Sequence, residues 1–208
     1  MSMFTICREI VAEGELQDSL DGMREAEANF TAEVGVLDRR FYQCVQQPHV
    51  IWANTEWTTE KAHNLAAEAI MKVRKDDRVA SAYFRPGLYF EIFCLPVEAA
   101  WHDFEEGEAG FILLSHAVIA DRAFDRWEER CRERLAALEP PPGLRRIHTY
   151  QNNYSRHEFV TFFEWRGEEA YEEGRLRGER TLEELVLIET ERSNLAAYCQ
   201  FECRPLVL

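Results

Sequence analysis

The sequence lacks the usual signatures of phosphate, zinc and serine chemistry. It contains no Gly-x-Gly-x-x-Gly turn, no phosphate loop, no His-Glu-x-x-His pair and no Gly-x-Ser-x-Gly elbow. No apolar run approaches the roughly 20 residues that a bilayer-spanning helix needs, so no membrane association is expected. The opening "MSMFTICREI" has no basic segment leading into a long apolar one, so no signal peptide is expected either. Basic residues are scarce, 24 against 38 acidic ones, for a formal net charge of -14. A surface of that sign repels phosphate backbones, and the one basic cluster, "PGLRRIH", is too short to offset it, so nucleic acid is not an expected partner. Six cysteines stand at positions 7, 44, 94, 131, 199 and 203 without a Cys-x-x-Cys pair. Most lie among apolar neighbours, which predicts reduced, buried thiols in a cytoplasmic protein. Cys199 and Cys203 fall in a strand-like run, where they share a face and form no ligand knuckle. The acidic "WHDFEE", with His102, Asp103 and Glu105, reads as a solvated segment, and no metal is expected.

What is present is a chain written twice. "NTEWTTEKAH" at residues 54 to 63 is echoed by "FFEWRGEEAY" at residues 162 to 171. At an offset of 108, Gly35 meets Gly143, Tyr42-Gln43 meets Tyr150-Gln151, His49 meets His157, Glu56-Trp57 meets Glu164-Trp165, Glu60 meets Glu168 and Ala62 meets Ala170. Eight ungapped identities over 28 positions argue for an internal repeat. Offsets of 107 at the front ("FTICREIV" on "FILLSHAV") and 109 at the back ("YFEIFCLP" on "YCQFECRP") extend it. The expected organisation is a first unit at 1–97, an acidic connector at 98–109 and a second unit at 110–208.

Each unit shows the same order of elements. "FTICREIV" is rich in β-branched and apolar residues and reads as a strand. Leu16, Leu20, Met23, Glu27 and Phe30 then recur at helical spacing, as do Phe124, Trp127, Cys131, Leu135 and Leu138 in the second unit, where "EPPPG" ends the helix. A hairpin follows, through "QQPH" in one unit and "NYSRH" in the other. The second helix starts near Thr59, a candidate N-cap, and carries Ala62, Ala66, Ala69, Ile70 and Val73 on one side. Its second-unit counterpart contains Gly174 and Gly178 and is expected to break in two. "GLYFEIFC" closes the first unit as a strand.

The pattern β-α-β-β-α-β, twice, predicts an α+β fold of two tandem ferredoxin-like units. Helices cover only one face of such a sheet, so the two sheets are expected to pack together as an intrachain α/β barrel. On "NTEWTTEKAH" and "FFEWRGEEAY", each a strand ending in Glu-Trp before the second helix, the sequence resembles the dimeric α/β-barrel superfamily. Within it, the chain looks like antibiotic-biosynthesis-monooxygenase-like domains fused in tandem. The resemblance implies a pocket within each unit, between helices and sheet. It also implies chemistry ranging from oxygenation of polycyclic phenols without metal or organic cofactor to haem degradation.

The candidate site residues follow from strand faces and from that resemblance. His116 shares a strand face with Leu114 and Val118, and is a candidate base for an acidic phenol. The front offset pairs it with Glu9, which stands with Cys7 and Val11. Asn54 lies on the strand face of Trp52 and is a candidate to orient a carbonyl or hydroxyl; Thr55 and Trp57 share the other face. Trp57 and Trp165 match the strand-end Trp that the resemblance implies, either locking strand to helix or walling an aromatic substrate. Haem-degrading relatives carry an Asn on the first strand. Cys7 stands there in unit one and Leu114 in unit two, and the second helix of unit two has no His. His63 is the only histidine in a proposed helix, one turn into unit one's second helix. The repeated His49 and His157 read as turn-closing residues, and Glu56 and Glu164 as acceptors for the helix start.

Catalytic roles are therefore assigned to His116, Asn54 and His63, and a substrate pocket to Cys7, Glu9, Trp57 and Trp165. The leading enzymatic reading is a cofactor-independent monooxygenase-like enzyme acting on a small aromatic or polyketide-like molecule. A non-catalytic small-molecule-binding or structural protein with the same barrel, and a haem-binding enzyme, are the alternatives. Homodimerisation stays open.

Overall fold

The computed structural model describes residues 2–12, 14–27, 30–74, 89–120, 124, 129, 132–133, 137–177 and 195–208. In chain order the elements are β1 (Met3–Ile10), α1 (Leu16–Glu27), a 3-10 turn (Ala32–Val34), β2 (Val36–Cys44), β3 (Val50–Trp57), α2 (Glu60–Arg74) and β4 (Tyr89–Asp103). They continue with β5 (Phe111–Ile119), β6 (Leu144–Asn152), β7 (Glu158–Trp165), α3 (Glu168–Arg177) and β8 (Leu195–Leu206). The architecture is α+β. Two compact units are formed, Met1–Cys94 with Pro205–Leu208, and Leu95–Arg204. β4 runs on through residues 98–103, the first half of the expected connector.

In the first unit the strand order is β4-β1-β3-β2, all antiparallel. Register places Met3, Thr5, Cys7 and Glu9 of β1 beside Trp57, Thr55, Ala53 and Ile51 of β3. This is the helix-covered face. Leu20 and Met23, a turn apart on α1, pack with Val11, Phe41, Ile51 and Ala53. Ala66 of α2 packs with Met3, Val36 and Trp57, against which Phe93 and Phe30 also lie. Thr59 caps α2 as expected, its Oγ1 accepting from the Ala62 N–H at 3.1 Å. The opposite face carries Phe4, Ile6, Trp52, Ile92 and Cys94, all buried. An apolar sheet face of this kind has to be covered.

The second unit orders its strands β8-β5-β7-β6, again antiparallel. Phe111 pairs with Trp165 as Met3 pairs with Trp57, so β5 matches β1 at an offset of 108. This corrects the front offset of 107. The counterpart of Cys7 is Ser115, not Leu114, and the counterpart of His116 is Arg8, not Glu9. One residue of register turns a strand's side chains to the other face, so the earlier pairing joined residues from opposite sides of the sheet. At the back, Cys94 pairs with Phe4 and Cys203 with Ile112, which keeps the offset of 109 there. Of the stripe expected for the unit's first helix, Trp127, Cys131 and Leu135 lie outside the described residues, as does the chain from 178 to 194. Gly174 has a packing role in α3: a Cβ there would come within 2.6 Å of the Trp165 ring.

Kept identities take matching geometry in the two units. The Gln43 and Gln151 side chains donate to the carbonyls of Pro48 and Arg156, at 2.8 and 2.6 Å, and close the two hairpins. The repeated histidines contribute backbone: the carbonyls of His49 and His157 each accept an N–H, from Val11 and Ile119, at 2.8 Å. The β2–β3 and β6–β7 ladders each shift register near their glycine end, at Val36/Asp38 and Leu144/Arg146.

Candidate active site

On the helix-covered face of the first unit, four elements bring polar and aromatic side chains together. Cys7 of β1 and Glu91 of β4 are register partners, and the Cys7 thiol donates to Glu91 Oε1 at 3.2 Å. His63 reaches down from the first turn of α2, and its Nε2 lies 3.2 Å from the same oxygen. Its Nδ1 is 3.1 Å from Asn64 Oδ1. The imidazole is 7% exposed and stands edge-on between Trp57 and Phe93, at centroid distances of 5.1 and 4.8 Å. Trp57 is itself fixed, its Nε1 donating to Thr5 Oγ1 at 2.9 Å.

The electrostatics of this cluster favour a charged ring. Burial drives the His63 imidazole down, but the hydrogen bond and charge of Glu91, helped by Asn64 and Glu60, carry it above its ordinary value. Both partners as placed are acceptors, which suits a ring protonated on both nitrogens. A carboxylate that holds a thiol and an imidazolium, walled by indole and phenyl rings, can take up or return a proton beside an aromatic surface.

The structure therefore gathers Cys7, His63 and Trp57 into one cluster, with buried Glu9 two residues along the same face of β1. Asn54 is on the opposite face, paired with Ile6 and Arg40 and beside Trp52 in the alternation of β3. His116 belongs to the second unit and also lies on the face away from α3. Its Nε2 is 2.7 Å from Glu158 Oε1, while Glu158 Oε2 accepts from Asn152 Nδ2 at 2.6 Å. Burial opposes charge on His116, yet hydrogen bonds to Cys199 and Glu158, and the charge of Glu158, push it up to about 9. At neutral pH it is an imidazolium, not the free base expected from the sequence.

Trp165 occupies the Trp57 position of the second unit, but Leu113 replaces Thr5 and the buried Nε1 has no hydrogen-bond partner among the described residues. Tyr171 stands where His63 does, 5.7 Å from Trp165, and its hydroxyl donates to Glu202 at 3.2 Å. Ser115 and Gln200, a register pair, replace Cys7 and Glu91. At the positions of Cys7, Glu91 and His63 the second unit thus carries Ser115, Gln200 and Tyr171 instead. Glu164, expected to serve the helix start, accepts from Arg146 at 2.8 Å.

Sequence reading missed Glu91, which organises the cluster. The signal was available: a carboxylate alternating with Phe90, Ile92 and Cys94 in a strand bounded by apolar residues, replaced by Gln200 in the echo.

A histidine-ligated haem requires an open axial nitrogen, and no other histidine of the sequence falls in a helix. Both His63 nitrogens are engaged and the ring is enclosed by Trp57 and Phe93, so these residues do not fit a haem ligand. No group of three or more metal-ligating side chains occurs among the described residues. No helix among them is long and apolar enough to cross a membrane.

Comparison with solved structures gives likeness over almost the whole chain. An anthrone oxidase-like protein matches with a TM-score of 0.74 at 11% identity, covering 99% of this chain and 92% of that one. A proposed monooxygenase from Lactobacillus acidophilus matches at 0.66 and 14% identity, over 98% and 93%. A mutant chlorite dismutase from Candidatus Nitrospira defluvii matches at 0.63 and 10% identity, over 99% and 92%. At these identities the likeness is one of fold. No family model matches the sequence, and no curated protein matches it.

Proposed function

We propose that the chain is a monooxygenase-like enzyme that oxidises a small, ionisable aromatic or polyketide-like molecule with dioxygen, using no metal or organic cofactor, and that its working site is the Cys7–Glu91–His63 cluster. The observation that carries this reading is the convergence of Cys7 and His63 on Glu91 Oε1, each at 3.2 Å, beneath Trp57 and Phe93. The fold likeness to an anthrone oxidase-like protein and a proposed monooxygenase supports it. On the same reading, the chain is a tandem pair of ferredoxin-like units of the dimeric α/β-barrel superfamily. The matching registers of β1 with β3 and of β5 with β7 support the pairing.

In the reaction, Glu91 takes a proton from an activated C–H or O–H of the substrate, and His63 offsets the charge on the carboxylate. The resulting carbanion or phenolate is electron-rich enough to reduce dioxygen. A CH2 group and O2 become C=O and water: one oxygen enters the carbon, the other leaves with two hydrogens, and the substrate supplies every electron. Trp57 and Phe93 hold the aromatic plane.

Oxygen uptake by the purified protein, measured against a panel of anthrone-like and phenolic substrates, tests the assignment. Uptake that falls by about 10²-fold or more in Glu91→Gln is expected of a lost general base. Uptake that survives the substitution, or no uptake with any of the panel, overturns it.

A further inference from the structure

We propose that Cys199 is a second, independent reactive centre: a nucleophilic thiol, served by His116 and oriented through Glu158, that reacts with small hydroperoxides. Cys199 of β8 and His116 of β5 are direct register partners, so their side chains leave the sheet on the same face. The Cys199 Sγ lies 3.9 Å from the His116 carbonyl. The thiol also hydrogen-bonds the imidazole, and Glu158 Oε1 lies 2.7 Å from its Nε2. Asn152 Nδ2 holds the far oxygen of that carboxylate at 2.6 Å. The order is thiol, imidazole, carboxylate, amide, the order in which a cysteine nucleophile is paired with an imidazolium that a third group orients. Neither protein-wide symmetry nor strand packing requires it, because Arg8 and Phe90 hold the corresponding places in the first unit.

Access and size favour a small electrophile. The His116 and Glu158 side chains are 17% and 15% exposed, and Cys199 is half-buried, so solvent reaches the group but a bulky reagent is hindered. The reacting sulfur is the thiolate, paired with the His116 imidazolium. The sulfur attacks one peroxide oxygen, the S–O bond forms and the O–O bond breaks. Sulfur loses two electrons and the peroxide gains them; the departing hydroxide takes the imidazolium proton and leaves as water. The product is a sulfenic acid. Cys203 shares the face but stands four residues along the strand, roughly 13 Å away at strand rise, too far to resolve it as a disulfide.

The test treats the intact protein with hydrogen peroxide at pH 7, traps sulfenic acid with a dimedone probe, and reads each cysteine by peptide mass. Labelling at Cys199 is expected to exceed that at half-buried Cys7 by at least tenfold. His116→Gln should lower it about tenfold, and Glu158→Gln should lower it less, with circular dichroism reporting whether each variant folds. If His116→Gln does not fold, wild-type labelling of Cys199 against Cys7 decides alone. Equal labelling of Cys199 and Cys7, or unchanged labelling in a folded His116→Gln protein, overturns the proposal. Glu91→Gln is expected to leave Cys199 labelling unchanged, which separates this centre from the oxygenase site.

Discussion

Gly35 and Ala62 lie so close that a side chain at the glycine has no place to begin. A Cβ built on Gly35 would come 2.6 Å from the Ala62 Cβ, and one on Gly143 would come 2.6 Å from that of Ala170. Both glycines have positive φ, 92° and 87°. The Gly35 carbonyl accepts the Thr58 N–H and the Gly143 carbonyl the Arg166 N–H, each at 2.8 Å. The glycine entering one strand and the alanine in the first turn of the next helix are thus one contact, made twice. Gly35→Ala adds strain from the left-handed backbone to a clash with Ala62, and is expected to cost about 2 to 4 kcal/mol. The Tm should drop by roughly 2 to 4 °C per kcal/mol in a chain of this size. Thermal melts of Gly35→Ala and Gly14→Ala make the comparison, since Gly14 has positive φ but open space around it. Equal losses at the two sites would show that the Ala62 contact contributes nothing.

The second unit offers a charge pair as its counterpart. Arg146 on β6 bonds Glu164 on β7 at 2.8 Å, and the Glu164 side chain is only 4% exposed. Removing the cation strands a buried carboxylate, which is far more costly than the pair itself is stabilising. Arg146→Met should therefore destabilise by roughly 3 to 5 kcal/mol, while Arg146→Met with Glu164→Leu should recover a good part of that loss. Urea unfolding of the two single variants and the double variant measures the coupling. Simple additivity of the single losses would refute a stranded charge as their cause.

Sequence reached the fold because the fold is carried by spacing. Strand alternation and the glycine–alanine and Glu-Trp pairs recur in both halves of the chain, and all are legible without coordinates. The site was only half legible. Cys7, His63 and Trp57 were named, but nothing in the linear order says that Glu91, 28 residues beyond His63, returns to the same oxygen-to-nitrogen distance as a neighbour. The face of Asn54 was read correctly relative to Trp52, yet which face the helices cover depends on register with β1. The error over Glu9 and His116 had the same source. A repeat aligned on Phe4 and Phe111 slips by one residue, and in a strand one residue is a whole face.

The His116–Glu158 pair gives the protein a pH dependence of definite sign. Among the described residues, Cys199 faces the ring from β8 and Glu158 from β7, with Asn152 of β6 behind the carboxylate. The His116 pKa is raised from 6.5 to about 9, so its contribution is complete below 6.5 and is lost as pH rises through 9. Glu158 is lowered from 4.5, chiefly by its hydrogen bond to His116, so its contribution holds above 4.5 and is lost on acidification. Stability from the pair is therefore greatest between pH 4.5 and 6.5. At about 1.4 kcal/mol per pKa unit, the rise from 6.5 to about 9 makes the alkaline loss on the order of 3 to 4 kcal/mol. Chemical denaturation of the wild type and His116→Gln at intervals from pH 6 upward isolates it, because groups common to both proteins cancel in the difference. The wild-type advantage should shrink steadily across that range. An advantage that stays constant would mean that folding leaves the imidazole unshifted, and one that grows would mean that folding lowers it; either outcome refutes a charge held by Glu158.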